Sequence, residues 1–496
     1  MAIIDVLRGW NPWWFNKRAV LEELAGIERT DYAEIIKTIE LKETTVITGV
    51  RRSGKSTLMY QMIKKLIENG TEPNNILLIN FEDEALLDES LDDIYLEYKQ
   101  NINPDKKAFI FLDEVQKKQK WELWVRKKYD LKSDAKFVVS GSSAHLLKRE
   151  YSTLLTGRIV SFEVMPLSFI EYLEFSKIEV NKEMVKKGLV FPQDLPKIQS
   201  LLEKYLDGGG FPEVFFKEDE QKRLILTNYF DDIIFKDVVD RHNIKSQKPK
   251  ELAKYLATNL AGNISLRSLR GMTGLAYWQI KQYLSHYLDA FLFFEINHFS
   301  YSLKEQKTRP SKIYCIDNGL RNAVSFKFSK DLGKLVENLV FLEFKRKDNE
   351  IYYWKNKNEV DFVIKNADYS LDAINVSYTD EIPERETLGL LEFKKCNKKV
   401  NKLLIITKNL EKNGENIQYI PLWKWLLQDE ILKQQIGTFK SSKSTKQLLK
   451  ESREGWNENN AHLSSRTLKD IKKARKEIKQ GKVHSLEKIK KELKIT

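Results

Sequence analysis

The octet Gly49-Val50-Arg51-Arg52-Ser53-Gly54-Lys55-Ser56 constrains this chain more than any other stretch. A glycine, four residues, then Gly-Lys-Ser is the pattern of a phosphate-binding loop, and its flanks suit it. Thr44 to Thr48 reads as a strand. Ser56 to about Glu68 reads as a helix, with Leu58, Met59, Met62, Ile63 and Leu66 as its apolar positions. Gly49 and Gly54 let the backbone curl so that its N–H groups converge on phosphate oxygens, and the helix N-terminus adds positive potential. Lys55 is expected to reach the β- and γ-phosphates and the Ser56 hydroxyl to ligate magnesium. Residues Gly49 to Thr57 are thus the candidate ATP-binding segment.

A second half of such a site follows. Ala108 to Leu112 is a short apolar run, a buried strand ending in Asp113-Glu114. Asp113 is placed to hold Mg²⁺ and Glu114 to activate the water that attacks the γ-phosphate. Lys136 to Ser140 is a further strand running into Gly141-Ser142-Ser143, where a hydroxyl can sense the γ-phosphate or simply form a turn.

Together these residues resemble the AAA-type P-loop ATPases, and one prokaryotic branch in particular. The likeness rests on Val50-Arg51-Arg52-Ser53, Asn80-Phe81-Glu82-Asp83, Gly141-Ser142-Ser143, Leu155-Thr156-Gly157-Arg158 and Pro166-Leu167-Ser168-Phe169. It covers about residues 15 to 430. It implies an α/β fold with a parallel sheet of order 5-1-4-3-2, followed by a helical lid, a winged helix and a small restriction-endonuclease-like α/β domain. Strand five is then Ile159 to Val164. Arg158 just before it is the candidate charge-stabilising arginine, in cis or across a subunit interface, with a surface ion pair as the alternative.

The expected boundaries are 1–165 for the ATPase domain, 166–247 for the lid, 248–317 for the winged helix, 331–430 for the nuclease-like domain and 437–496 for a basic helical tail. In the lid, Gly208 to Pro212 is a sharp break, and Asp237 with Arg241 forms an i,i+4 pair expected to be solvated. In the winged helix, Gln279, Lys281 and Gln282 are candidates for a DNA groove, and Lys304, Lys307 and Arg309 for a phosphate-contacting wing. A purely protein-binding role fits equally. In the nuclease-like domain Glu337 and Asp361 suit a metal site, but the Glu-x-Lys position reads Asn375-Val376-Ser377, and Lys365 lies past its strand. Cleavage is therefore not expected.

Composition narrows the rest. No apolar run approaches the ~18 residues of a membrane span. Met1 to Asp5 lacks the basic and apolar regions of a secretory signal. Cys315 and Cys396, the only cysteines, point to a reduced cytosol and exclude a cysteine-based zinc site. Residues 440–496 hold 17 Lys and Arg against 7 Asp and Glu, ten of the thirteen net positive charges, so the basic balance belongs to the tail. Nucleic acid is its favoured partner. A small protein docking on Leu468, Ile471, Ile478, Leu486, Ile489 and Leu493 is the alternative. Part of the tail also resembles segments of small prokaryotic antitoxins. Trp10, Trp13 and Trp14 either flank the adenine or pack an N-terminal arm. The expected function is ATP hydrolysis coupled to DNA or a protein partner, in the cytoplasm. The alternative is a nucleotide-gated regulator, or a defence or toxin–antitoxin-like component, with little turnover. The oligomeric state is open.

Overall fold

The computed structural model describes residues 2–15, 18–30, 32–103, 107–131, 133–144, 157–178, 194–325 and 331–427. Leu155 and Thr156 of the motif before strand five, and the whole tail, lie outside the described residues.

Five strands form the first sheet: β1 (Thr44–Thr48), β2 (Ile76–Asn80), β3 (Ala108–Asp113), β4 (Ala135–Gly141) and β5 (Ile159–Glu163). All pairings are parallel and the order is β2-β3-β4-β1-β5, the order expected. Every residue of β1 and β2 is buried. That is why these strands read as continuous apolar runs: both faces of a parallel sheet are covered. Val46, Leu77, Ile110 and Val139 face one core, and Ile47, Leu78, Phe111 and Val138 the other.

The N-terminal arm covers the open edge at β2. The Asn11 side chain accepts from Leu78 N (2.7 Å) and donates to Leu78 O (2.9 Å), standing in for a neighbouring strand. The Trp13 and Trp14 indoles donate to Ile76 O at 3.2 and 2.8 Å, and Trp10 to Asp83. An uncovered edge would leave these backbone groups free to pair with another chain. The three tryptophans therefore pack the arm.

Residues 169–178 and 194–289 are mostly helical, with one departure from the expected regularity. The helix Asp219–Asp232 continues as an eight-residue π-helix, Ile233–Asp240. The glycine break packs tightly: Gly209 has φ +74, and a Cβ there would lie 2.1 Å from Asp317 Oδ1. Gly210 N donates to the same carboxylate at 2.7 Å.

A second sheet of nine strands has the order β13-β14-β12-β11-β10-β9-β7-β8-β6. Helices Lys248–Thr258, Leu266–Thr273 and Tyr277–Asp289 precede or flank its strands β6 (Asn263–Ile264), β7 (Phe293–His298) and β8 (Ser311–Cys315). Between β7 and β8 the chain forms a short helix, Leu303–Thr308, where a lysine-rich wing was expected. Ser302 caps it, accepting from Glu305 N, and Arg309 pairs with Glu305 at 3.2 Å. From β9 (Glu350–Lys355) the sheet runs on through β10 (Glu359–Lys365), β11 (Leu371–Ser377), β12 (Val400–Thr407), β13 (Lys412–Asn413) and β14 (Gln418–Pro421). The regions expected as separate winged-helix and nuclease-like domains share this sheet, because β7 pairs with β9 in parallel at Asn297↔Tyr352 and His298↔Tyr353.

Candidate functional site

The loop after β1 has the conformation its glycines require. Gly49 has φ +147 and Gly54 φ +100, and a Cβ on Gly49 would sit 2.0 Å from Val164 O on the adjoining chain. Only glycine fits there. The helix Lys55–Glu68 then starts with its N-terminus at the loop. Lys55 is buried; its ammonium donates to Val50 O at 3.1 Å and lies 3.7 Å from Glu114 Oε1. Ser56 Oγ donates to Asp113 Oδ2 at 2.7 Å. Lys55, Ser56, Asp113 and Glu114 thus converge at the C-terminal ends of β1 and β3, on a cleft of about 620 Å³.

Asp113 also accepts from Ser140 Oγ at the end of β4. Burial, reinforced by the charge of Glu114, raises the Asp113 carboxyl against these hydroxyl donors. Glu114 adopts φ +52, which turns its side chain away from the strand line. Burial opposes its ionisation, but Lys55, Arg51 and the Gln116 amide outweigh burial and hold it below the ordinary carboxylate range. Ser56 Oγ and the Asp113 carboxylate are hard oxygen donors, and among the described residues no cation pairs directly with that buried carboxylate, so the pair fits Mg²⁺.

Side chains distant in sequence, Arg29 and Asp237 among them, complete the site. Arg29 is buried; it clamps Glu171 (2.6 Å), Ser53 O (2.9 Å) and Met165 O (3.0 Å), tying the arm to the loop and to the segment after β5. Burial opposes ionisation of Glu171 too, yet Arg29 pulls its carboxyl down to about 2. Arg51 of the loop bonds Glu82 at 2.7 Å and Asp237 at 3.2 Å. Asp237, from the π-helix, also accepts from Ser142 Oγ (3.0 Å) and Arg241 (2.8 Å), and Gln116 links Ser142 to Glu114. The expectation of a solvated Asp237–Arg241 pair fails: Asp237 is 1% exposed and holds three partners from three segments. A π-helix bulges one residue per turn, a deformation frequent at functional positions.

Ile27, Phe175, Pro212 and Phe216 give the cleft an apolar lining, interrupted by Glu213 and Lys217. Arg52, half exposed, lies at its mouth, 3.5 Å from Glu213. Arg158 is elsewhere. It immediately precedes β5, and Thr44 N donates to its carbonyl, so it sits at the N-terminal edge of the sheet. The loop is at the opposite edge, about 16 Å away for five strand residues. Its guanidinium bonds Asp130 at 3.0 Å. The structure does not bring Arg158 to the cleft of its own chain.

In the nine-stranded sheet Glu337 and Asp361 meet, as expected, but around a lysine that the sequence reading did not single out. Lys312 of β8 is 2% exposed and lies 3.0 Å from Glu337, 2.8 Å from Glu359 and 3.5 Å from Asp361. Tyr314 donates to Glu337 at 2.8 Å. Lys365 bonds Glu350 instead. Asn375 uses its amide on Asp361 N, Glu359 O and Glu386. Among the described residues no cluster of His, Cys, Asp and Glu has the arrangement of a metal site, and no helix is long and apolar enough to cross a membrane.

Comparison with known proteins agrees with this geometry. The family profile of an AAA domain matches residues 41–173, and two profiles of domains of unknown function, DUF8612 and DUF4143, match 199–331 and 332–425. The chain is similar to uncharacterized protein MJ1544 of Methanocaldococcus jannaschii, 34% identical over 440 residues, covering 83% of this chain and 96% of that protein. It is also similar to an uncharacterized protein of Haemophilus influenzae, 31% identical over 419 residues, covering 82% and 99%. Among solved structures, the ORC1 protein of Aeropyrum pernix in complex with DNA matches 62% of this chain and 96% of its own at 10% identity and a TM-score of 0.30, too distant to carry an argument.

Proposed function

We propose that the chain, which belongs to the family of uncharacterized protein MJ1544 of Methanocaldococcus jannaschii and matches an AAA domain over residues 41–173, binds Mg²⁺–ATP in the cleft at Gly49 to Thr57 and hydrolyses it. The observation that carries this reading is the convergence of Lys55, Ser56, Asp113 and Glu114 on one cleft, beside a loop whose Gly49 and Gly54 hold the positive φ that its curl requires. Ser56 and Asp113 would hold Mg²⁺. Bound there, Mg²⁺ neutralises charge on the β- and γ-phosphates. Lys55 would move from Val50 O and Glu114 to the phosphates. Glu114, kept ionised and released from Lys55, would accept the proton of the attacking water. The purine would lie against the apolar lining of the cleft, on Ile27 and Phe216. Arg158 remains available only to a neighbouring subunit.

Arg51, Asp237, Ser142 and Arg241 would report the γ-phosphate to the helical segment. Arg51 and Arg241 both bear on Glu114 electrostatically. Cleavage of the γ-phosphate would redistribute their contacts with Asp237, and so shift the π-helix. The grip of Lys55 and Gln116 on Glu114 also favours slow basal turnover, the regulator reading. In that reading a partner speeds the cycle.

Measuring ATP binding and turnover tests the proposal. Lys55→Ala should abolish tight ATP binding. Glu114→Gln should bind ATP and lose turnover, because an amide fills the position without accepting a proton. A Glu114→Gln protein that turns over like the parent sinks the water-activating role.

A further inference from the structure

One surface of the helical region is charged in a single sense. From Leu252 to Leu288 the chain has no Asp or Glu, although it carries 71 of them in 496 residues. The same stretch holds Lys254, Arg267, Arg270 and Lys281. The nearest upstream ion pairs, Lys248–Glu251 and Lys250–Asp231, stop short of it. Among the described residues no ion pair engages Arg267, Arg270 or Lys281.

Two helices build the surface. Leu266–Thr273 and Tyr277–Asp289 are joined at Gly274, which has φ +69. Leu269, Ile280, Tyr283 and Tyr287 point into the core. Spacings of three then place Arg267 with Arg270, and Trp278 with Lys281, on outward faces. Between these cations Met272, Tyr277 and Trp278 are 54%, 43% and 66% exposed. The Arg270 guanidinium lies 4.9 Å from the Tyr277 ring centre and holds that ring at the surface. Single exposed apolar residues are ordinary. A methionine and two aromatic rings exposed within seven residues, with Arg270 on one ring and, among the described residues, no ion pair to Arg267, Arg270 or Lys281, are not.

We propose that this face binds single-stranded nucleic acid, with bases stacking on Trp278 and Tyr277 and phosphates meeting Arg267, Arg270 and Lys281. The lack of any carboxylate between Leu252 and Leu288 favours a polyanion over a protein, whose surface carries both signs. A projecting indole offers a π-face to a base, and a base inside a duplex cannot reach it without unstacking. Gln279, the natural candidate for reading a duplex edge, is engaged instead: its side chain accepts from Ala276 N at 3.0 Å and caps the helix. The inference stands independently of nucleotide chemistry in the cleft.

The test uses the full chain at low salt. Fluorescence anisotropy compares an oligothymidine of about 20 nucleotides with an abasic strand of equal phosphate number. The basic segment 437–496 attracts both strands alike, so their difference isolates stacking. Wild type should prefer the base-bearing strand roughly tenfold. Trp278→Ala should erase that preference with an unchanged melting temperature, and Trp278→Phe should keep most of it. The double variant Arg267→Glu and Arg270→Glu should weaken both strands and flatten the salt dependence. Equal binding of the two strands by wild type overturns the proposal. So does a Trp278→Ala protein that keeps the preference, the outcome expected if a protein docks here instead.

Discussion

Replacing Lys312 with methionine keeps the length of the side chain and removes the buried cation shared by Glu337, Glu359 and Asp361, leaving Glu359 its second partner, Lys355, at 2.8 Å. Removing one partner of a buried ion pair costs about 3–5 kcal/mol, because the charge left behind has lost its water. Glu337 and Asp361 are 14% and 16% exposed, but Glu359 is 29% exposed and recovers some hydration. A loss of about 2–4 kcal/mol near pH 8 follows, or a melting temperature lower by roughly 5–15 °C for a cooperative unit of this size. The penalty should depend on pH. Burial, against the pull of Lys312 and with the push of Asp361, raises the Glu337 carboxyl from 4.5 to about 7. A carboxyl raised in the folded state contributes stability that is complete below its unfolded value and lost as pH rises through the folded one. Without Lys312 the folded value climbs further. The variant then tolerates acid, where Glu337 is protonated, and suffers above neutrality. Scanning calorimetry of both proteins between about pH 5 and pH 8 should show the gap in melting temperature widening with pH. A gap that is flat or narrows would mean that Lys312 does not neutralise the cluster.

Asp237→Ala should lower kcat for ATP at least tenfold, about 1.4 kcal/mol in the barrier, by freeing Arg51, Ser142 and Arg241 together. Lys236→Ala, on the half-exposed neighbour, is the control in the same steady-state assay. Phe216→Ala should weaken ATP binding by roughly tenfold through lost stacking yet leave inorganic triphosphate unaffected in calorimetric titration; equal losses for both would place the base elsewhere. Wild-type protein incubated with DNA and Mg²⁺ or Mn²⁺ should give no cuts on a gel, because Lys312 already occupies the carboxylates. Cleavage abolished by Asp361→Ala would refute this.

The nucleotide half of the site is legible because its chemistry is local. Gly49 to Ser56 and the strand end at Asp113 announce themselves within a few residues, and the observed strands match those runs to within a residue or so. What escapes local reading is long-range. Asp237 follows Arg51 by 186 residues, and an i,i+4 pair reads the same whether its carboxylate is buried or solvated. Lys312 meets Glu337 only because a strand and a helix from different parts of the chain pack together. Arg158 shows the opposite failure: a motif match names a residue but not the edge of the sheet it occupies. The tryptophans were ambiguous for a simple reason, since an indole N–H needs an acceptor and sequence does not say which. The short helix at Leu303 carried a local signal, Ser302 followed three residues on by Glu305, masked by the lysines around it.

The ladder between β7 and β9 bears on how such chains are inherited. The two profiles of unknown function divide at residues 331 and 332, yet that point is not a mechanical joint. Asn297 and His298 on one side pair with Tyr352 and Tyr353 on the other. Phe299 N donates to Tyr353 O, and Lys312 is neutralised from across the divide. A gene fragment ending at residue 331 would encode a strand edge with its N–H and C=O groups bare and a buried ammonium without carboxylates. The fragment starting at 332 would carry the complementary wound. Recombination at that boundary would break both halves at once, so the two should travel between genomes as one cassette.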